Sequence, residues 1–176
     1  MSLVRVHNFS VSLDGFSAGA DQSLEAPFGH ASGRLMNWFF GTRTFRAMHG
    51  EPGGGAGVDE AFASNWGPGI GAEIMGRNKF GPQRGPWEDE EWKGWWGDDP
   101  VFHTPVFVLT HHARPSVEMK GGTTFHFIDA SPAEALAAAL GRGERLWDGS
   151  EGLEERFDVE AVSSPSGVTH LTFTRR

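Results

Sequence analysis

The stretch Gly71-Ala-Glu-Ile-Met-Gly-Arg-Asn-Lys-Phe80 decides the expected fold of this 176-residue chain. Its short apolar run, Ile74-Met75, predicts a buried strand, and the polar residues Gly76-Arg77-Asn78 follow where that strand ends. A glycine there lets the backbone approach a ligand closely, and the fork of the arginine suits a phosphate group. Because ligands of open α/β sheets bind at the carboxyl ends of strands, the stretch predicts a strand that leads into a nucleotide-binding turn.

Three stretches, taken together, resemble one enzyme superfamily. Ile74-Met75-Gly76-Arg77 with Phe80 resembles the Met-Gly-Arg segment of dihydrofolate reductases and of the related reductase domain of riboflavin biosynthesis. Phe9-Ser-Val-Ser-Leu-Asp-Gly-Phe-Ser-Ala-Gly19 resembles the Ser-Leu-Asp-Gly opening of the riboflavin-type domains, and Pro105-Val-Phe-Val-Leu-Thr-His-His112 resembles their second nucleotide-contacting strand. The three matches occur in the family's order, so the chain is similar to the dihydrofolate reductase-like superfamily.

The resemblance implies both a fold and a function. The implied fold is an α/β three-layer sandwich, with a mixed, mostly parallel central sheet, helices on both faces and an antiparallel C-terminal edge. The implied function is that of an NADPH-dependent oxidoreductase that transfers hydride to a small heterocyclic or carbonyl substrate. The cofactor-binding residues that it implies are Gly76, Arg77, Asn78, Thr110, His111 and Arg114.

The resemblance also indicates where substrate and nicotinamide would meet. In these families the first strand and the loop after it line that pocket, which places Asp14, Gly15 and Ala18 on the substrate side. Asp14 is the best carboxylate for a general acid, and a water molecule or a group of the substrate is the alternative. The dipeptide alone favours a simple turn at Asp14-Gly15, and its position in the motif favours the functional interpretation.

The residues before the central motif predict a strand, a helix and a loop. Alternating apolar residues over 4–13 predict a mostly buried strand. Residues 33–48 have the apolar spacing of a helix, with a break expected near Gly41-Thr42. The glycine-rich run 53–57 is interpreted as a surface loop rather than a phosphate loop, because no strand precedes it and no Lys-Ser/Thr follows it. A further helix is expected over residues 58–65.

Residues 86–100 form an acidic segment that contains four of the seven tryptophans. Proline and glycine interrupt the segment, so regular structure throughout is not expected and the indoles must pack on some other surface. Three interpretations remain open: a surface loop fixed by its own aromatic side chains, a lid on the substrate side, or a dimer contact.

Residues 106–109 are a continuous apolar run, which is typical of a strand buried on both faces. The run ends at Thr110-His111-His112. In the resembled reductases this strand end contacts the adenosine 2′-phosphate, which implies a hydroxyl from Thr110 and a positive charge from His111 or Arg114, and a preference for NADPH. The histidine pair predicts no metal site, because no third ligand stands at a recognisable spacing.

The sequence departs from the resembled family after the next strand, predicted over residues 121–128. Ser131-Pro132-Ala133-Glu134 predicts a helix start with serine as the N-cap. The family continues with a strand, a glycine-rich turn that holds the pyrophosphate, a helix and another strand, but here Ala139 runs directly into Leu140. A strand-helix-strand block is therefore absent near 139–140, or a segment is missing from the sequence. For a protein of only these 176 residues we therefore expect weak NADPH binding and no appreciable hydride transfer, whereas a protein that contains the block should bind NADPH well.

Residues 157–162 and 168–173 predict a hairpin that closes the sheet.

Length and composition restrict the protein class. A single domain is expected over 1–176. The net charge of −8 opposes nonspecific binding to nucleic acid or to anionic membranes. The absence of cysteine and of any apolar run of membrane-spanning length leads us to expect a cytoplasmic protein. We also expect a homodimer, because the Trp-rich segment and the hairpin edge need covering.

A second class of function stays open. The chain could be a non-catalytic binding or dimerisation module that retained the fold and lost the cofactor site. The absence of the glycine-rich turn favours this alternative, and the nucleotide-contacting motifs favour the reductase.

Overall fold

The computed structural model describes residues 5–6, 10–67, 69–135 and 156–176, which form a mixed α/β structure. The strands are β1 (Glu73–Gly76), β2 (Pro105–Leu109), β3 (Val117–Glu118), β4 (Thr124–Ile128), β5 (Phe157–Ser163) and β6 (Thr169–Arg175). The α-helices are α1 (Asn37–Phe40), α2 (Arg43–Met48), α3 (Val58–Ala63) and α4 (Arg77–Phe80). Gly29–Met36 and Lys120–Gly122 form 3₁₀ turns, and residues 132–135 are helical.

The chain divides into two compact units. The sheet unit contains, of the described residues, 18–32, 67 and 69–135, and the hairpin unit contains 5–6, 10–17, 33–66 and 156–176. The boundary at 32/33 falls within the 3₁₀ segment, where Ser32 has a φ of 52° that interrupts the helical conformation. The single domain expected from the sequence stays a prediction.

The sheet unit is built on four strands in the order β1-β2-β4-β3. Strands β1, β2 and β4 are parallel, and β3 is antiparallel to β4. The parallel register aligns Met75 with Val108 and Val108 with Phe127, so these side chains share one face of the sheet. That face is buried, whereas Phe107 and Leu109 on the opposite face of β2 are only half-buried. Of the described structure, β2 is therefore fully buried on one face, where the sequence predicted burial on both.

Aromatic side chains from the Trp-rich segment cover the buried face. Phe80 is fully buried, and its ring centroid lies 5.0 Å from those of both Phe125 and Phe127. Trp96 stacks on Phe125 at 5.6 Å, and Trp87 meets Phe127 edge-on at 5.4 Å. Full burial of one such phenylalanine side chain contributes about 1.5–3 kcal/mol, so this aromatic layer contributes substantially to the stability of the sheet unit.

Backbone carbonyl groups fix the indoles of the segment. The N–H groups of Trp92 and Trp95 donate to the carbonyl oxygens of Phe80 and Lys79, each at 2.9 Å. Gly94 has a φ of +93°, and a Cβ atom there would lie 2.8 Å from the Trp96 ring, so the chain requires glycine to turn at this point. This packing agrees with the interpretation of the segment as a loop fixed by its own aromatic side chains.

The hairpin unit contains α1, α2, α3 and the antiparallel pair β5–β6. Trp38 of α1 is buried, donates its indole N–H to Ser10 Oγ at 3.0 Å and meets the His170 ring edge-on at 5.0 Å. On the other side, Phe62 of α3 stacks on His170 at 4.1 Å. The imidazole of β6 is thus held between aromatic rings from two helices.

Several local predictions are confirmed. The helical region 33–48 is broken at Gly41-Thr42, where the Thr42 side chain caps α2 by accepting from the Phe45 N–H at 3.1 Å. The expected cap at Ser131 forms, and the C-terminal hairpin pairs in register over its whole length. The predicted gap near 139–140 lies outside the described residues.

Two predictions differ from the structure. The expected opening strand is wrong for the residues described there, because 5–6 and 10–13 are not in a strand and Leu13 is fully exposed. A strand forms only when it pairs with another strand, and a pattern of alternating apolar residues does not specify that partner. None of those residues pairs with either sheet. The hairpin was expected at the edge of the central sheet, but within the described chain it forms a two-stranded sheet of its own. No helix in the described ranges is long and apolar enough to cross a membrane.

Candidate functional site

An open groove of roughly 760 Å³ lies at the carboxyl ends of β1, β2 and β4. Parallel strands bring their carboxyl ends to one edge, so the residues that follow each strand meet there. The side chains and backbone that line the groove come from three short segments and are Arg77, Asn78, Gln83, Arg84, Gly85, Leu109, Thr110, His111, His112, Asp129, Ala130, Ser131, Pro132 and Glu134. The groove thus brings together four of the six residues that the sequence predicted for cofactor binding.

Arg77 is a half-buried cation in this groove, with no carboxylate partner in the described structure. One terminal nitrogen donates to the Gly85 carbonyl oxygen, while Nε and the other terminal nitrogen are buried without a hydrogen-bond partner. Burial lowers the pKa of Arg77, and no nearby carboxylate opposes that effect. Arg77 also makes no ion pair with Glu73 in the described structure; burial raises the pKa of Glu73, and the charge of Lys79 lowers it.

Trp87 contacts two guanidinium groups. The Arg77 guanidinium carbon is 3.9 Å from the Trp87 ring centroid, and that of Arg114 is 4.4 Å away. Burial lowers the pKa of Arg114, the charges of Asp89 and Glu90 raise it, and the charge of Arg77 lowers it further. The two arginines therefore repel each other, and only Arg114 has nearby carboxylates to compensate its charge.

Arg114, predicted to bind cofactor, is engaged with the Trp-rich segment instead of lining the groove. Its terminal nitrogens donate to the carbonyl oxygens of Asp89, Glu90 and Trp92. Its guanidinium carbon also lies 4.2 Å from the Phe127 ring centroid. Arg114 therefore joins the Trp-rich segment to the aromatic layer through these hydrogen bonds and this ring contact.

The residues after β2 line the groove, but their polar groups already have partners. The buried Thr110 Oγ1 accepts from the His112 N–H at 3.1 Å. His111 is 94% exposed, and its Nδ1 lies 3.0 Å from Asp129 Oδ1. His111 and Asp129 thus pair across the ends of β2 and β4.

The turn after β1 places Gly76 and Asn78 beside Arg77. Gly76 has a φ of −73°, and a Cβ atom built there meets no atom within 4 Å, so the protein's own packing does not require glycine at this position. Asn78 lines the groove, and its Nδ2 donates to Gln22 Oε1 at 3.0 Å. Gly76 therefore leaves room for a ligand to approach the end of β1.

A capping box forms the wall of the groove after β4. Glu134 Oε2 accepts from the backbone N–H and the hydroxyl of Ser131, each at 2.8 Å, and the Glu134 N–H donates back to the Ser131 hydroxyl. The hydrogen bonds from Ser131 lower the pKa of Glu134, so this carboxylate is ionised at neutral pH and already engaged.

The predicted substrate-side residues do not line the groove. Asp14 is exposed in a turn of the hairpin unit and accepts a hydrogen bond from the Ser12 hydroxyl, and Gly15 has the φ of +90° that this turn requires. Ala18 is half-buried and belongs to the sheet unit. The catalytic role of Asp14 stays a prediction.

The groove residues that were not predicted for cofactor binding include Gln83, Arg84, Gly85 and Asp129. The first three follow the Met-Gly-Arg motif within a few residues, and the arginine between glutamine and glycine was the available signal. Asp129 follows β4 directly, at the strand end where polar side chains meet in a parallel sheet.

The arrangement is suited to bind an anion beside β1, because Arg77 and Arg84 have no carboxylate partner in the described structure, whereas the carboxylates of Asp129 and Glu134 belong to the segment after β4. Comparison of the chain with protein-family models and with curated proteins finds no match.

Proposed function

We propose that this chain is an NADPH-dependent reductase with a dihydrofolate reductase-like three-layer fold, which passes hydride to a small heterocyclic or carbonyl substrate. Support comes from the order of the three motifs in the sequence and from the parallel strands that carry two of them. In this proposal the groove at the carboxyl ends of β1, β2 and β4 holds the phosphate-bearing part of the dinucleotide.

The observation that carries the proposal is the environment of Arg77. A half-buried guanidinium with two unpaired nitrogens and a second arginine on the same indole is electrostatically unfavourable without an anion. A bound phosphate group would supply the missing counter-charge. The residues present therefore fit an anionic cofactor.

NADPH, when bound, supplies the hydride for reduction. The chain's own residues bind and orient it. Arg77 faces the phosphate charge, the open space beside Gly76 admits the ligand to the end of β1, and Trp87 holds the Arg77 guanidinium in place. For the proton, Asp14 is proposed on its position in the motif alone, with a water molecule or a group of the substrate as the alternatives.

Replacing Arg77 tests the proposal. Arg77→Ala should weaken NADPH binding by roughly tenfold or more, because charge-assisted hydrogen bonds contribute about 1.5–3 kcal/mol. The melting temperature should change little, since the lost contact with Trp87 is offset by removal of a desolvated charge and of its repulsion with Arg114. Tryptophan fluorescence titrated with NADPH measures the affinity, and Lys93→Ala removes an exposed charge of the same unit as a control.

The absent glycine-rich turn sets the expected range of affinity. Without its N–H groups, binding should lie nearer millimolar than micromolar, so the titration extends to roughly 10 mM. No saturable binding in that range would contradict the reductase proposal. A micromolar dissociation constant would contradict the expected weakness, because it would show that other donors hold the pyrophosphate.

A second candidate function is a non-catalytic binding or dimerisation module. It is favoured by one face of the β5–β6 hairpin, where Val159, Leu171 and Phe173 are each more than half exposed. The register places Val159 opposite Phe173 and Ala161 opposite Leu171, so the apolar side chains share that face. A stable dimer that binds no dinucleotide would support the module.

A further inference from the structure

The residues expected to recognise the cofactor's extra phosphate are already engaged within the protein. The Thr110 hydroxyl bonds to the backbone of His112, His111 pairs with Asp129, and Arg114 holds the Trp-rich segment. Selection of a phosphorylated ligand by any of them would require breaking an internal contact. A cation without an internal partner is therefore better placed to provide that recognition.

Arg84 is the groove cation that remains available. Its side chain is exposed, it lines the groove, and within the described structure it makes no hydrogen bond or ion pair. Arg84 directly precedes Gly85, whose carbonyl oxygen accepts from Arg77. The chain thus carries Arg84 on the same short loop that contacts the Arg77 guanidinium.

The charges on this loop select the class of anion. Arg77 and Arg84 together bring two positive charges with no carboxylate partner, whereas Asp129 and Glu134 are engaged across the groove by His111 and Ser131. A phosphodiester or a carboxylate carries one negative charge, and a pyrophosphate distributes two charges over two phosphorus centres. A phosphomonoester carries nearly two charges at neutral pH on one phosphorus centre, with three oxygens that accept from guanidinium groups. A phosphomonoester therefore compensates this pair best.

We propose that Arg84, with Arg77, forms a phosphomonoester site on the 83–85 loop, and that Arg84 is the residue that selects phosphorylated ligands. The phosphate can come from two sources, the 2′-phosphate of the dinucleotide or a phosphate on the substrate. Only the first source rests on the proposed reductase function. The site itself rests on the two uncompensated cations.

Calorimetric titration of three ligands tests the site. NADPH and NADH differ only in the 2′-phosphate, and ribose 5-phosphate provides a phosphomonoester without the dinucleotide. For the wild-type protein we expect NADPH to bind at least tenfold more tightly than NADH. Arg84→Ala should abolish that difference by weakening NADPH alone, and Arg84→Lys should keep part of it because lysine retains the charge but not the fork. Lys93→Ala should change none of the three affinities.

The outcomes separate the site from the reductase function. If Arg84→Ala weakens ribose 5-phosphate binding while NADPH and NADH do not differ, the site holds and the phosphate belongs to the substrate. If ribose 5-phosphate binds through Arg84 and neither dinucleotide binds, the site holds and the reductase proposal fails. If both dinucleotides bind and Arg84→Ala leaves every affinity unchanged, the site is overturned while the reductase proposal stands. Absence of binding by all three ligands overturns the site as well.

Discussion

The pair formed by Asp59 and His170 should contribute substantially to the stability of the hairpin unit. His170 Nε2 lies 2.8 Å from Asp59 Oδ1, and the two side chains are only 8% and 19% exposed. An ionised carboxylate can only accept, so His170 Nε2 carries the proton that Asp59 receives. The pair joins β6 to α3 and is enclosed by the rings of Phe62 and Trp38.

Removing the carboxylate leaves a buried imidazole N–H without an acceptor. Loss of one partner from a buried pair costs about 3–5 kcal/mol, and an unsatisfied buried donor costs about 1–3 kcal/mol. Because Asp59 keeps some exposure, we expect Asp59→Ala to lower the free energy of unfolding by about 2–4 kcal/mol. That corresponds to a fall in melting temperature of roughly 4–16 °C. Asp59→Asn keeps an acceptor and should cost about 1 kcal/mol.

The same pair should depend on pH in a defined direction. Burial acts to raise the pKa of Asp59, but the hydrogen bonds from His170, Ser164 and Ser166 outweigh it, so the pKa lies below its ordinary value of 3.8. A carboxyl whose pKa is lowered by folding stabilises the protein above the ordinary value and loses that stabilisation as the pH falls below it. The difference between wild type and Asp59→Asn should therefore be present at about pH 7 and shrink toward about pH 3.

An exposed pair in the same hairpin provides the matched control. Arg176 Nε lies at the same distance of 2.8 Å from Asp158 Oδ1, but these side chains are 59% and 67% exposed. Solvent screening should limit the cost of Asp158→Ala to less than about 1 kcal/mol. Urea unfolding of both variants, followed by circular dichroism, makes the comparison. Equal losses for Asp59→Ala and Asp158→Ala would refute the argument from burial.

Two further predictions concern the Trp-rich segment and the oligomeric state. Arg114→Ala should lower the free energy of unfolding in urea by about 2–3 kcal/mol, because three carbonyl groups lose a charged donor and Trp87 loses a cation. Arg114→Lys should recover less than half of that loss. A loss below about 0.5 kcal/mol would show that Arg114 does not hold the Trp-rich segment in place. Light scattering of the wild-type protein at micromolar concentration should give the mass of a homodimer. If the exposed hairpin face forms the contact, the double variant Leu171→Lys with Phe173→Lys should be a monomer. A monomeric wild-type protein would contradict the expected homodimer.

Local signals in the sequence predicted much of the fold. Strands β1, β2 and β4, the cap at Ser131 and the break at Gly41-Thr42 depend on short-range patterns of apolar, capping and helix-breaking residues. The opening strand was wrong where the structure describes it, because strand formation needs a partner that alternation does not specify. Pairing of the hairpin with itself instead of the central sheet is likewise a long-range choice.

The candidate site was predicted in position but not in detail. Arg77, Asn78, Thr110 and His111 meet in one groove because parallel strands bring their ends together. The sequence did not show which arginine remains available to bind an anion. Arg114 and Arg84 are both arginines in loops, and only the fold shows that the first contacts three carbonyl groups while the second has no partner in the described structure.

Trp87 connects two features that the sequence presented as separate. Its ring packs on Phe127 in the aromatic layer and contacts the guanidinium groups of Arg77 and Arg114, and its N–H donates to the His112 carbonyl oxygen beyond β2. The folding of the Trp-rich segment and the position of the groove cation therefore depend on the same indole. An anion bound near Arg77 would reduce the repulsion across that indole, so binding in the groove should stabilise the segment as well as fill the site.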